Sequence, residues 1–424
     1  MTLSRREFMQ WASATGALAA LSGCAGSGGG GGGPKVVVVG GGYGGATAAK
    51  YVKMYAPDFD VTVVEREATF ISCPMSNLVL GGNAELKDLT FTHDGLKKRG
   101  IKVVRDSATG IDAAKREVRL ASGATLAYDR LILSPGVDFT YDTLRGLNNA
   151  AAQERVLHAW KAGPQTLALR KQLEAMPDGG VYALAIPTAP YRCPPGPYER
   201  VCQVADYFKR AKPKSKIIVL DGNPDIVSKK GLFLGVWNGQ YKGMIEYRAN
   251  AELQDVDAKT NSAILIGDKV QASVLNVVPP QRAGAIAASA GVITANNRWC
   301  EIDWRTYESI KVPGIHILGD ATLSAPLMPK SATMANQHGR VCAAAVVALL
   351  RGQPADAVPV ILNTCYSFVD AKNVVHVASV HQYDAGKATM LVVPGSGGVS
   401  DKPSELEGVY AWGWARNIWG DTLA

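Results

Sequence analysis

Seven cysteines, at Cys24, Cys73, Cys193, Cys202, Cys300, Cys342 and Cys365, are the residues of this 424-residue chain best suited to redox chemistry. A thiolate is a nucleophile, and two thiols can store an electron pair as a disulfide. Three of the seven have distinctive surroundings. Cys193 lies in Tyr191-Arg192-Cys193-Pro194-Pro195-Gly196-Pro197-Tyr198-Glu199-Arg200, a turn stiffened by prolines. Cys365 lies in Leu362-Asn363-Thr364-Cys365-Tyr366-Ser367, and Cys73 in Phe70-Ile71-Ser72-Cys73-Pro74-Met75-Ser76-Asn77. Cys202, Cys300 and Cys342 read as packing residues; Cys342 begins the apolar run Ala343 to Leu350. The six histidines lack metal-ligand spacing and no Cys-x-x-Cys occurs, so no metal site is expected. No Cys-x-x-Cys-His occurs either, so no haem is expected on this chain.

The elements that must position these sulfurs begin at Pro34. Lys35 to Val39 is a continuous apolar β-branched run, the pattern of a strand covered on both faces. Gly40, Gly42 and Gly45 follow in G-x-G-x-x-G spacing, and Ala46 to Tyr55 reads as a helix. Strand, glycines and helix in that order let backbone N–H groups approach a pyrophosphate at the helix N-terminus. The second strand, Asp60 to Val64, ends at Glu65, twenty residues past Gly45, where an acid can hold a ribose hydroxyl. Arg66 beside it is counted with the cofactor-binding residues. Gly314 to Leu318 is an apolar strand ending in Gly319-Asp320, which resembles the second FAD fingerprint of the flavoprotein disulfide reductase superfamily. In that superfamily the aspartate contacts the ribityl chain. Tyr128 to Gly136 resembles the superfamily's crossover strand, so the bound dinucleotide is expected to be FAD.

The middle of the chain departs from that superfamily. The strand Gly180 to Ile186 is followed by Pro187-Thr188-Ala189-Pro190, where a second glycine fingerprint would hold NAD(P)H. Proline has no N–H to offer a pyrophosphate. Lys216 to Leu220 ends at Asp221, so the doubly wound fold is expected without its nucleotide signature. Electrons are then expected to reach the flavin from something other than a nicotinamide.

The segments around Cys73, Cys193 and Cys365, with Pro279-Pro280-Gln281-Arg282-Ala283-Gly284, resemble the flavoprotein subunit of flavocytochrome c sulfide dehydrogenase over essentially the whole mature chain. The resemblance implies FAD carried covalently by a thioether from Cys73 to the flavin 8α carbon. It implies a redox-active disulfide between Cys193 and Cys365 beside the flavin, with Glu199 as proton acceptor. Sulfide or polysulfide would be the substrate and a separate c-type cytochrome subunit the electron acceptor. Hydrosulfide would attack one sulfur of the disulfide, leaving a persulfide and a thiolate. The plainer alternatives are a structural Cys193–Cys365 disulfide and a buried Cys73 thiol. With Cys24 set aside, a disulfide and a flavin bond use three of six cysteines and leave at least one thiol unpaired. Pro326 to Ala332 precedes a helix through Leu350. Its positive end, reinforced by Lys330, is read as facing the flavin, against a proline-capped start with a solvated lysine.

Composition agrees with a globular enzyme: 47% hydrophobic, 19% charged, formal charge +8. The basic residues are scattered and no groove-reading motif occurs, so nucleic-acid binding is not expected. Ser4-Arg5-Arg6-Glu7-Phe8 ahead of the apolar run Trp11 to Leu21 resembles a twin-arginine export signal, which implies a periplasmic location. That run is half the roughly 20 residues a transmembrane helix needs. Leu21-Ser22-Gly23-Cys24 also resembles a lipobox, with Gly28 to Gly33 as tether; a lipid anchor at Cys24 and ordinary cleavage nearby both stay open.

The expected architecture is α/β: two dinucleotide-binding-type (Rossmann-like) domains of the flavoprotein disulfide reductase superfamily plus a small C-terminal α+β interface domain. The boundaries are 1–33 for the export signal and linker, 34–146 and 284–355 for a discontinuous FAD-binding domain, 147–283 for the second Rossmann-like domain, and 356–424 for the interface domain. The rival activity is sulfide:quinone oxidoreductase, whose quinone pocket would call for amphipathic C-terminal helices. Residues 351–424 read instead as prolines (Pro354, Pro359, Pro394, Pro403) and strand-like runs such as Val374 to Val380. Aromatic-dense Tyr410 to Trp419 reads as core or docking face. A third reading is a non-enzymatic thiol-exchange partner of a sulfur-oxidising complex.

Overall fold

In chain order the elements that matter are β1 (Lys35–Val39), α1 (Tyr43–Tyr55), β2 (Asp60–Val64), β3 (Lys102–Val104), β4 (Arg130–Leu133), β5 (Val181–Ile186), α2 (Gly196–Ala211), β6 (Lys216–Asp221) and α3 (Lys230–Asn238). They continue with β7 (Ile245–Arg248), β8 (Val274–Val277), β9 (Ile315–Ile317), α4 (Ala332–Leu350), β10 (Val360–Phe368), β11 (Val374–Asp384), β12 (Thr389–Val392) and α5 (Glu405–Leu423). The computed structural model describes residues 32–424; the twin-arginine pair Arg5 and Arg6, the apolar run and Cys24 lie outside the described residues.

The first sheet has the order β9-β4-β1-β2-β3 and every pairing is parallel. Covered on both faces, β1 buries Val36 to Val39, which is why its sequence is apolar without alternation. In a parallel sheet all C-terminal strand ends share one edge. The glycine turn after β1, Glu65 after β2, Ser134 after β4 and Gly319-Asp320 after β9 therefore meet there, although nearly three hundred residues of sequence separate the first from the last. The turn is tight: Gly40 has φ +101, and a Cβ on Gly45 would lie 1.9 Å from the Gly40 carbonyl oxygen. Helices α1 and α4 also cross closely, a Cβ on Gly339 lying 2.6 Å from the Gly44 oxygen.

A second parallel sheet has the order β7-β6-β5-β8. Its core, around Tyr182, Leu184, Phe208 and Trp237, is separate from the valine-rich core of the first sheet. A short antiparallel pair, Val137–Phe139 with Gln281–Ala283, carries the chain between the two sheets.

The C-terminal part is an antiparallel sheet led by the long β10/β11 hairpin, in which Cys365 lies opposite Val377. Two hydrogen bonds dock β10 on the start of α4: Ser331 Oγ to Asn363 Oδ1 at 2.7 Å and Thr333 Oγ1 to the Thr364 carbonyl at 2.8 Å. The reading of residues 351–424 as prolines and strands misses α5, a 19-residue helix capped by Ser404, whose side chain accepts from the Glu407 N–H. It packs on α1, where Lys50 Nζ donates to the carbonyls of Gly420 and Asp421. The aromatic stretch is thus mainly core, Trp419 burying its ring against Phe91. Leu406, Val409 and Tyr410 on the first turns of α5 stay exposed.

Candidate active site

At the C-terminal edge of the first sheet the structure forms a cradle that its own side chains leave unfilled. No side chain caps α1, and its first turn holds no acid, so the leading N–H groups stay available for an anion. A Cβ on Gly42 would meet nothing within 4 Å, which marks open space above the turn. Glu65 stands beside it, Oε2 accepting from the Gly41 N–H at 2.7 Å and Oε1 from the Glu67 N–H at 2.9 Å. Across the edge Asp320 is pushed upward in pKa by burial, and its Oδ1 is buried with no hydrogen-bond partner. A buried acceptor left orphaned is costly unless a bound group satisfies it. An uncapped helix start, open glycines, a ribose-side acid and an orphaned aspartate fit the two ends of FAD. Arg66 does not join them; it sits at the surface against Glu67, 3.6 Å away.

Lys330 is not the solvated lysine of the plainer reading. The chain is buried, with Nζ donating to the carbonyls of Asp320 (2.9 Å) and Thr322 (2.5 Å) and lying 3.9 Å above the Trp299 ring. Burial lowers its pKa to about 8. Lys330 therefore ties down the Gly-Asp loop, and the N-cap of α4 is Ser331.

The sulfur centre lies where that loop meets the second sheet and β10. Cys193 adopts a left-handed backbone, φ +59, rare for a residue with a Cβ. Its N–H donates to the Lys330 carbonyl at 2.8 Å. A Cβ on Gly196 would lie 2.8 Å from Cys193 Sγ and 2.9 Å from the Trp160 ring, so α2 begins with glycine where the sulfur crosses it. Cys193 and Cys365 are both free thiols in the structure and neither is wholly buried. Burial pushes the Cys193 thiol far up, and charge at Cys365 and then Glu199 pushes it further, while Arg192 and Lys229 oppose. Cys365 is raised by burial too, with Lys229 the strongest opposing influence.

Glu199, in the first turn of α2, is buried. Its Oε1 accepts from the Phe368 N–H (2.9 Å) and its Oε2 from Asn77 Nδ2 (2.8 Å). Burial outweighs these bonds and holds its pKa above the ordinary carboxylate range. Arg192 links the sulfurs to the cradle. Burial works against its charge, but Cys73, Asp320 and Cys193 together hold its pKa above the usual value. Three residues from separate segments thus lie within electrostatic reach of one guanidinium. Arg200, fully buried, donates to Asn77 Oδ1, Asn276 Oδ1 and the carbonyls of His158 and Ala159, and so fixes Asn77 against Glu199. Sequence reasoning quoted Arg192 and Arg200 without giving them roles and missed Asn77 and Lys229. An arginine on each side of Cys193-Pro-Pro was the available signal.

Two features of the second sheet disfavour a nicotinamide nucleotide. The N-terminus of α2, which would receive a pyrophosphate, carries Glu199, and two negative charges would repel there. Asp221, at the ribose position after β6, is buried and accepts from Tyr198 Oη (2.8 Å) and Tyr247 Oη (3.0 Å). Cys202, Cys300 and Cys342 are fully buried in the cores, and among the described residues no cluster of His, Cys, Asp and Glu could hold a metal ion.

Comparisons with known proteins agree with this layout. Residues 34–172 match the pyridine nucleotide-disulphide oxidoreductase family, residues 166–279 the central part of the sulfide dehydrogenase (flavocytochrome c) flavoprotein chain, and residues 357–423 the flavocytochrome c sulphide dehydrogenase flavin-binding family. The sulfide dehydrogenase (flavocytochrome c) flavoprotein chain of Chlorobaculum thiosulfatiphilum is 52% identical over 37 residues, 9% of this chain and 77% of that sequence. Mouse mitochondrial sulfide:quinone oxidoreductase is 23% identical over 316 residues, 70% of this chain and 67% of that protein. The solved sulfide:quinone oxidoreductase of Aquifex aeolicus superposes with a TM-score of 0.74 at 19% identity, covering 92% of this chain and 91% of that one. The chain therefore belongs to the family of the flavocytochrome c sulfide dehydrogenase flavoprotein chain, FAD-binding oxidoreductases with a disulfide-reductase fold.

Proposed function

We propose that this protein oxidises sulfide at a Cys193–Cys365 disulfide, beside an FAD tethered through Cys73, and yields the electrons to a c-type cytochrome on a separate subunit in the periplasm. What supports the reading is that Cys193, Cys73 and the cradle's Asp320 all lie within electrostatic reach of Arg192. Cys365, on β10, lies within electrostatic reach of Cys193, which supports pairing the two.

Residues of the chain supply the sulfur chemistry. Hydrosulfide attacks one sulfur of the disulfide, a new S–S bond forms, the old one breaks, and the displaced cysteine leaves as a thiolate. Glu199, its carboxylate pointed by Asn77 and the Phe368 N–H, accepts the proton that converts hydrogen sulfide to the nucleophile. Arg192 offsets the negative charge that accumulates. Bound FAD would supply a two-electron acceptor able to pass electrons on one at a time. The second sheet's poor fit to a nicotinamide supports sulfide as the electron source.

Two results test the reading. Purified protein with FAD should reduce horse-heart cytochrome c on addition of sulfide and leave decylubiquinone unreduced. A second activity, sulfide:quinone oxidoreductase, has support from the mouse and Aquifex likenesses and from exposed Leu406, Val409 and Tyr410 on α5. Reduction of decylubiquinone with no reduction of the cytochrome would decide for it. No helix among the described residues is long and apolar enough to cross a membrane. For the tether, acid precipitation and trypsin digestion should leave flavin on a peptide containing Cys73. Cys73→Ser should release all of it to the supernatant. A yellow supernatant from the unmodified protein overturns covalent attachment.

A further inference from the structure

One buried cation beside the sulfurs has no part in the scheme above. Lys229 precedes α3 in a left-handed conformation, φ +56, which turns its side chain inward while Lys230 reaches out to Asp225. Only 7% of Lys229 is exposed. Its Nζ donates to the Cys365 carbonyl (3.1 Å), Ser367 Oγ (2.7 Å) and the Val375 carbonyl (3.3 Å). Ser367 and the two carbonyls are neutral, and none of the salt bridges among the described residues includes Lys229. A buried cation bonded to neutral acceptors alone is expensive to fold. The groups whose charge it feels are Cys365 first, then Glu199 from α2, Cys193 from the turn before it, and Glu407 from α5. Burial lowers its pKa to about 8, so it is a cation near neutral pH.

We infer that Lys229 is the positioning residue that holds Cys365 as the thiolate when the Cys193–Cys365 bond opens, which directs incoming hydrosulfide to Cys193. The inference rests on the disulfide reading proposed above. In the step, HS⁻ and Cys193–S–S–Cys365 become Cys193–S–SH and Cys365–S⁻. One S–S bond forms as one breaks, the pair of the broken bond leaves on Cys365, and one negative charge stands on each side. The better-stabilised thiolate is the better leaving group. Lys229 grips the backbone of Cys365 itself, and its charge is the strongest influence favouring a thiolate there. The Cys193 thiol, by contrast, meets the charges of Cys365 and Glu199, which Arg192 and Lys229 only partly offset, and no hydrogen bond from Lys229 reaches its backbone. The asymmetry is built into the fold.

The test reads the thiols directly. Reduced FAD-loaded protein is pulsed with iodoacetamide across a pH series and each cysteine is quantified by peptide mass. Cys365 should alkylate with a lower pH midpoint than Cys193. Lys229→Met should raise the Cys365 midpoint by about 1–3 pH units, the effect of removing a nearby opposite charge, and Lys229→Arg should restore it. In the oxidised wild type, a brief exposure to sulfide followed by alkylation should place the extra sulfur on Cys193. An unmoved Cys365 midpoint in Lys229→Met, or the extra sulfur on Cys365, overturns the inference. Should Lys229→Met not fold, the order of the two wild-type midpoints and the position of the sulfur decide. Failure of the underlying reading looks different: Cys365→Ser would then keep its sulfide turnover whatever the alkylation shows.

Discussion

Cys365→Ser should lose sulfide-dependent cytochrome c reduction by at least ~10³-fold, the scale on which removing a covalent nucleophile group acts, while keeping its fold and its FAD. The argument runs from where Cys365 sits. It lies within the β10/β11 hairpin, whose backbone pairing a serine leaves intact. Its thiol makes one polar contact, with Asn363 Oδ1 at 3.4 Å, that a hydroxyl can replace. The cradle is made elsewhere, by the glycine turn, Glu65 and Asp320. Nothing in the substitution reaches it, so flavin content should match the wild type. Cys193→Ser should be as inactive, and the double variant no worse than either alone, because two sulfurs that act as one bond cannot contribute additively. Turnover within ten-fold of wild type in either single variant would sink the disulfide mechanism. Full loss also counts against a thiol-exchange partner with no turnover of its own.

The legible parts of this protein are those fixed by neighbours in sequence. β1, the glycine turn and α1 could be read because the apolar run, the turn and the helix adjoin, and each has its own local rule. Glu65 and Asp320 followed, since both stand just beyond a strand in the first sheet. Arg66 shows the limit of adjacency: next to Glu65 in sequence, it ends at the surface against Glu67. Lys330 was legible as near the flavin loop, but its bonds to carbonyls were not, because no side-chain pattern announces them. Lys229 was illegible. In Ser228-Lys229-Lys230 two lysines look alike, and only the left-handed turn sends the first inward. Helix α5 was missed although its start carried a signal. Ser404 and Glu407 have the S-x-x-E spacing of a capping box just after Pro403, but the α+β expectation for this part rested on prolines and strand-like runs and located no helix. The placing of Cys365 within electrostatic reach of Cys193 is the least local feature of all. It depends on β10 docking against the start of α4 through Asn363 and Thr364, and no window of sequence contains it.

Glu199→Gln should separate turnover from stability. As proton acceptor Glu199 must be ionised, so kcat at saturating sulfide should fall as pH drops through its pKa. Burial sets that pKa above the ordinary carboxylate value, which moves the loss to a higher pH than an exposed glutamate would give. Glutamine cannot accept the proton, and the variant should lose ~10²-fold or more in kcat, with the acidic limb assigned to Glu199 flattened. Stability should respond in the other direction with pH. A carboxyl whose folded pKa is raised favours the fold in its protonated form. That contribution is complete below the unfolded pKa and is lost as pH rises through the folded one. Glutamine is neutral throughout and suffers no such loss. It brings a fixed cost of its own: the carboxylate takes hydrogen bonds on both oxygens, from Phe368 N–H and Asn77 Nδ2, and an amide can accept only on one. Its NH₂ would then face the Asn77 NH₂, at about 1–3 kcal/mol for the conflict. That cost does not vary with pH. Melting temperatures of variant and wild type, measured from pH ~4 to ~8, should therefore shift steadily in the variant's favour as pH rises, even if the variant starts lower. A constant offset would mean that Glu199 is ionised in the fold across the whole range, its two hydrogen bonds and the charges of Lys229 and Arg200 having overcome burial. The carboxylate would then be an anchor for Phe368 and Asn77, and the proton from hydrogen sulfide would have to leave by another route.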